Sequence, residues 1–189
     1  VTILIPTSPV PRHPDTSLIE ECLGSVKFYF PTARVVIMAD GVRTQVEHRR
    51  EQYEQYKRCL SEKVSGYSCT ELCIFPEYSQ QALMTREVLK TVTTPLIFFV
   101  EHDAILRTSP PINIQAIFDL LFSEQVNLVR FYNWQDIWHE HQHLMHGELT
   151  YGGSRFVRTT QYSQWPLVSS TAYHRRVLAR IPEENRTMI

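Results

Sequence analysis

Residues 96–106 read LIFFVEHDAIL: an apolar run from Leu96 to Val100 drives straight into Glu101, His102 and Asp103, then the chain turns apolar again. The run does not alternate with polar residues and is rich in β-formers, as a strand covered on both faces should be, and Pro95 marks its start. Two carboxylates at the end of a buried strand are costly unless a cation, a basic side chain or water meets them. On an extended chain, side chains two apart point the same way, so Glu101 and Asp103 can face one hard metal ion, with His102 between them. A solvated strand end would explain the same triplet without a ligand.

The sequence on either side follows one rhythm. Upstream, VTILIP (1–6) is a short buried strand, and DTSLIEECLGSVKFYF is a helix with Asp15 or Thr16 as N-cap and Leu18, Cys22 and Val26 at helical spacing. ARVVIMADG is a second strand, residues 43–62 are a polar covering helix, CTELCIF is a third strand and SQQALMTREVLKTV a third helix. Alternation of this kind predicts an α/β fold with a mostly parallel central sheet and helices on both faces. Ligands of such sheets gather at the carboxyl ends of the strands, where the turns PTSP, ADG and EHD all lie.

Downstream, INIQAIFDLLFSE reads as a helix and VNLVRFYNW as a strand. The alternation then stops: Gln135 to Gly153 is crowded with His and Trp, YGGS reads as a flexible joint, and the remainder suggests one or two strands and a helix opened by Ser170 or Thr171. At 189 residues, with no repeat or second core, one domain over 1–189 is expected, with a half at 1–106 and an irregular half at 107–189.

Net charge −1 makes no case for nucleic acid or an anionic membrane as partner, and no apolar run is long enough to span a bilayer. The four cysteines lack paired CxxC spacing, so we expect reduced thiols and a cytoplasmic setting. The opening on Val1, inside a strand-like run, reads as a domain cut from something longer.

The strand ends ILIPTSP and VIMADG, a helix containing TRE at 85–87 and the acid-x-acid strand end at 101–103 resemble, in order and spacing, the GT-A fold nucleotide-sugar glycosyltransferases of the family 2-like group. There is also a resemblance to glycosyltransferase domains of large algal viruses. The family's patterns are DDG, ARN and DxD; here Ala39-Asp40 replaces the paired acids and Glu101 the first acid of DxD. The resemblance implies a single GT-A-like domain that moves a sugar from a UDP-sugar donor to a hydroxyl of a carbohydrate acceptor with Mn²⁺ or Mg²⁺. It implies that Pro6, Thr7 and Ser8 line the base and ribose, that Asp40, at the Asp40-Gly41 turn, accepts from uracil or ribose, and that Arg86 faces the diphosphate. Asp103 would ligate the metal, with Glu101 on ribose or a metal-bound water and His102 beside it. Each of these residues also has a plain structural reading as a turn, cap or surface charge.

HEHQH at 139–143 matches H-E-x-x-H, a zinc-hydrolase pattern with His139 and His143 as ligands and Glu140 as base, provided the stretch is an α-helix. The longer form of that pattern needs Gly at 146 and His at 149, where this chain has His146 and Leu149. In the transferase reading, a histidine of this stretch supplies a further metal or phosphate contact, with His143 favoured over His141. Trp134, Trp138 and Trp165 are candidates to stack on an acceptor sugar, or to pack a core. An inverting transfer needs an acceptor base, for which Asp136 is first and Glu140 second by position. Arg155, Arg158 and Arg175 fit phosphate contacts or surface pairs. A nucleotide-binding module without catalysis is the third alternative.

Overall fold

The computed structural model describes residues 1–109, 111–131, 139–160 and 165–182, without the side chain of His139. Four strands, β1 (Thr2–Thr7), β2 (Arg34–Ala39), β3 (Thr70–Ile74) and β4 (Leu96–Phe99), run parallel. Helices α1 (Ser17–Tyr29), α2 (Arg50–Val64) and α3 (Gln80–Leu89) connect them in turn. The apolar runs make this arrangement stable because alternate residues serve opposite faces. Ile3, Ile5, Val35, Ile37, Phe98 and Val100 pack with α1 and α2, while Leu4, Val36, Met38, Ile97 and Phe99 pack with α3.

The second half completes the same sheet. After α4 (Ile114–Phe122), short β5 (Leu128–Arg130) forms one edge, and β8 (Leu167–Ser170) inserts antiparallel between β4 and β5. The order is therefore β3-β2-β1-β4-β8-β5. Helix α5 (Thr171–Leu178) then packs beside α3, anchored by Arg175, which donates to the Leu89 and Val92 carbonyls. Local chemistry sets several helix starts: Asn113 accepts from the Ala116 N–H, and Ser170 from the Tyr173 N–H. For α1 the cap position is Thr16, but the Ser17 N–H is bound by Asp15.

Three sequence expectations change. The polar covering helix is a 3₁₀ helix over Thr44–Arg49 followed by α2. YGGS is no joint. It is the turn of a hairpin between β6 (Met145–Tyr151) and β7 (Ser154–Thr159), with Gly152 and Gly153 at φ +55° and +76°, a conformation open to glycine and poor for other residues. The turn docks on α4, where Asn113 donates to the Gly152 carbonyl. HEHQH lies in a 3₁₀ helix, His139–Leu144, instead of an α-helix. With about three residues per turn, this backbone lacks the α-helical repeat on which the H-E-x-x-H pattern depends.

No helix among the described residues is long and apolar enough to cross a membrane.

Candidate functional site: a cleft at the switch point of the sheet

From β1 the chain runs outward through β2 and β3, then returns to place β4 on the other side of β1. Beyond the last β1–β4 pair, Leu4 with Phe99, β1 carries Pro6, which has no N–H to extend that ladder. The two strands part there. A cleft of about 380 Å³ opens over the carboxyl ends, within the size range of small-ligand sites. Its lining unites Pro6, Thr7 and Ser8 at the end of β1, Asp40 and Gly41 just after β2, and Glu101, His102 and Asp103 just after β4, eight of the residues singled out in the sequence.

Asp40 is almost wholly buried, and its carboxylate is an anchor for backbone. Oδ1 accepts from the N–H of Gly41 (2.8 Å) and Ser79 (2.7 Å), and Oδ2 from that of Gln80 (2.9 Å). Since α3 begins at Gln80, the acid from β2 caps that helix from across the cleft. Gly41 serves the same junction: a Cβ there would stand 2.2 Å from the Glu77 carbonyl carbon and 2.4 Å from the Tyr78 nitrogen. The glycine of the turn is thus required by close approach of backbone.

At the β4 end, Glu101 is half-buried, and burial pushes its carboxyl pKa up, with the Asp103 charge adding to the rise. A hydrogen bond from Gln81 Nε2 (2.6 Å) opposes that shift. Asp103 is exposed at the rim. His102 is buried, which lowers its pKa, while Asp103 and a bond from the ring to the Pro6 carbonyl act in the other direction. Its Nε2 is buried with no partner.

Beneath the cleft, His13 stacks on Tyr56 at 3.9 Å and is held near pKa 4, first by burial and then by the charges of His102 and Arg49. Tyr53 donates to the Thr7 carbonyl and Tyr56 shares a hydrogen bond with the Thr7 hydroxyl, so α2 fixes the floor at Thr7.

Arg86 is not part of the lining. Its guanidinium reaches the Ile181 carbonyl at 3.4 Å, on the α5 side of α3. Glu140 and His143 are exposed on the 3₁₀ helix and do not line the cleft, and Asp136, Trp134 and Trp138 lie outside the described residues. Among the described residues, no three His, Cys, Asp or Glu side chains are grouped to hold a metal. The lining also includes Val10, Arg43, Val46, Tyr78, Gln80, Gln81 and Met84, which sequence reading did not single out. The paired glutamines at the start of the third predicted helix were the available signal, since that helix start faces the strand ends.

The architecture can be set beside solved structures. S. aureus TarS 1-349 superposes with a TM-score of 0.59 at 14% identity, over 99% of this chain and 51% of that one. The fold is of the GT-A type. GT-A-type topology is also approached by a cytidylyltransferase from Leptospira borgpetersenii (TM-score 0.52, 13% identity, 99% of this chain and 68% of that one) and by the bifunctional IspDF from Campylobacter jejuni (0.51, 8%, 95% and 43%). This GT-A-type chain spans about half the length of the TarS fragment. No protein-family profile matches it, and no curated protein matches it by sequence.

Proposed function

We propose that the chain is a glycosyltransferase that takes a sugar from a nucleoside diphosphate, with UDP as the carrier, and passes it to a hydroxyl of a carbohydrate acceptor. The observation that carries this reading is the convergence of Pro6–Ser8, Asp40–Gly41 and Glu101–Asp103 on one switch-point cleft. It is supported by structures of S. aureus TarS 1-349, of the same fold, in complex with UDP and with UDP-GlcNAc. The nucleoside would lie beside Pro6–Ser8 and Asp40, and the diphosphate toward Glu101 and Asp103.

The residues present fit a hard divalent cation, Mn²⁺ or Mg²⁺. Such ions are commonly held by one or two carboxylates, with substrate phosphates and water supplying the other oxygens, so a larger protein cage is not needed. Asp103 would hold it, with Glu101 beside it; when bound, the ion stabilises charge on the departing diphosphate. Asp136 is the proposed base that takes the acceptor's proton as the new glycosidic bond forms and the bond to the diphosphate breaks.

The cytidylyltransferase likeness raises a second reading, transfer of a nucleotide from a triphosphate. Here the loop after β1 argues against it. Pro6, Pro9, Pro11 and Pro14 remove backbone N–H groups from the segment that would have to cradle a triphosphate, and it contains no glycine.

Calorimetric titration with UDP, with and without Mn²⁺, tests the proposal. Metal-dependent UDP binding is expected, and Asp103→Asn should lose most of that dependence while folding as the parent does, because one anionic ligand is removed from an exposed position. Unchanged metal-dependent binding in the folded variant would remove Asp103 from the site. Release of pyrophosphate from CTP, with no turnover of a UDP-sugar, would replace the reading with nucleotidyl transfer.

A further inference from the structure

Between the two acids that follow β4 stands His102, a residue to which the proposed chemistry gives no role. It is 7% exposed, and its Nε2 is buried with no partner, so that nitrogen is out of reach of a ligand in the cleft. The ring bonds the Pro6 carbonyl, and with Nε2 unpaired the proton it donates lies on Nδ1.

That bond falls where the strands part. The β1–β4 ladder is parallel, its last pair is Leu4 with Phe99, and the Val100 N–H donates to the Leu4 carbonyl at 3.0 Å. In a parallel ladder the next rungs would join the Pro6 N–H to the Val100 carbonyl and the His102 N–H to the Pro6 carbonyl. Proline has no N–H for the first. At the second, the His102 ring meets the carbonyl in the place of a backbone rung. A backbone rung would keep residues 101–103 extended in the sheet. A side-chain rung holds the end of β4 against β1 and leaves the backbone free to turn, as it does here: the Ala104 N–H donates to the Glu101 carbonyl (3.0 Å), which also accepts from the Cys22 thiol (3.4 Å). Glu101 and Asp103 both reach the cleft lining from this turn.

The anchor on the other side is firm. Pro6 pairs with Met38 of β2, and Tyr53 and Tyr56 hold Thr7 next to it. His13, stacked on Tyr56, faces the His102 ring with 6.4 Å between centroids.

Resting on the proposed nucleoside-diphosphate site, we infer that His102 is a positioning residue: its Nδ1–H bond to the Pro6 carbonyl is the last rung between β1 and β4, and it fixes the turn that directs the Asp103 and Glu101 carboxylates at the diphosphate and its cation. The ring acts through the backbone. Asp103 is exposed at the rim, so the turn decides where its carboxylate points, and a turn fixed in advance spares the ordering that binding would otherwise require.

Two measurements test this. Heteronuclear NMR of the unaltered chain with isotope-labelled histidine, free of nucleotide and metal, should show His102 protonated at Nδ1 and bare at Nε2. Titration with Mn²⁺ at saturating UDP then compares variants. His102→Phe keeps a ring and loses the donor; the Mn²⁺ concentration for half-maximal UDP binding should rise about tenfold, the low end of the range for groups that orient metal ligands without touching the metal. His102→Asn, whose amide N–H can take the place of Nδ1–H, should restore the parental requirement. An unchanged Mn²⁺ requirement in folded His102→Phe overturns the inference, and so does an Asn variant as impaired as the Phe one, which would mark lost packing instead of a lost donor. A proton found on Nε2 overturns it with no variant at all. Each of these leaves the transferase reading standing, whereas an unaltered chain that binds no UDP in the presence of Mn²⁺ overturns both.

Discussion

Asp40 ties the turn after β2 to the start of α3 through its carboxylate. In the sequence it is the acid of a turn at a strand end; in the structure both its oxygens are occupied by the N–H groups of Gly41, Ser79 and Gln80. Asp40→Ala should therefore lower folding stability by roughly 2–3 kcal/mol, from buried N–H groups left unpaired, as well as weakening UDP binding. Urea denaturation beside a UDP titration reads the two effects; parental stability would contradict the capping role. At the neighbouring position, Gly41→Ala sets a methyl group against the backbone of residues 77 and 78, which has no flexible end to move aside. A loss of about 1–3 kcal/mol is expected, the range for overpacking, measured by the same denaturation. Glu101 and Asp103 were legible because acids after a buried apolar run are conspicuous. Gln80 was not, since a glutamine at a helix start is ordinary until its left-handed backbone and its unpaired oxygen are seen.

At the scale of elements, the α3–α5 contact carries a charge-sensitive group. His174 on α5 is 1% exposed, its Nε2 is buried without a partner, and burial holds its pKa at about 4. In the unfolded chain it would titrate near about 6.5. Between those values the unfolded state binds a proton that the folded state refuses, so stability falls as pH drops through about 6.5 toward about 4, and the group contributes no pH dependence above that window. His174→Leu should remove about 2–3 kcal/mol of the acid-side loss between about pH 6.5 and 4.5, leaving the part due to His13, which is shifted in the same direction. Thermal melts across that range check it; parallel curves for parent and variant would contradict it. The elements most legible in sequence were those with long apolar runs or clean helical spacing, such as β1, β2, β4 and α1. The pairing of β6 with β7 was not legible because these strands, largely exposed, show little apolar alternation, and because Gly152-Gly153 has the same composition in a hairpin turn as in a flexible joint.

For the whole molecule, the cleft joins the ends of three strands, so a ligand there adds contacts that tie those ends together. UDP with Mn²⁺ at about 100 times its dissociation constant should add about 2.7 kcal/mol, which for 189 residues is roughly a 5–10 °C rise in Tm. Scanning calorimetry would show it, and no shift at saturating UDP would count against the site. The sequence by itself determined the layered α/β class, the parallel run of the first four strands and the gathering of PTSP, ADG and EHD on one rim. Hydrophobic periodicity is a local signal, and the order of strands and helices along the chain is preserved in how they stack. Only the tertiary structure decided that β8 inserts between β4 and β5, that Arg86 turns toward Ile181, and that Asp40 secures Gln80 in the cleft wall. Those facts depend on which distant groups satisfy each other's hydrogen bonds and fill each other's space. Such pairings leave no mark in the residues on either side of them.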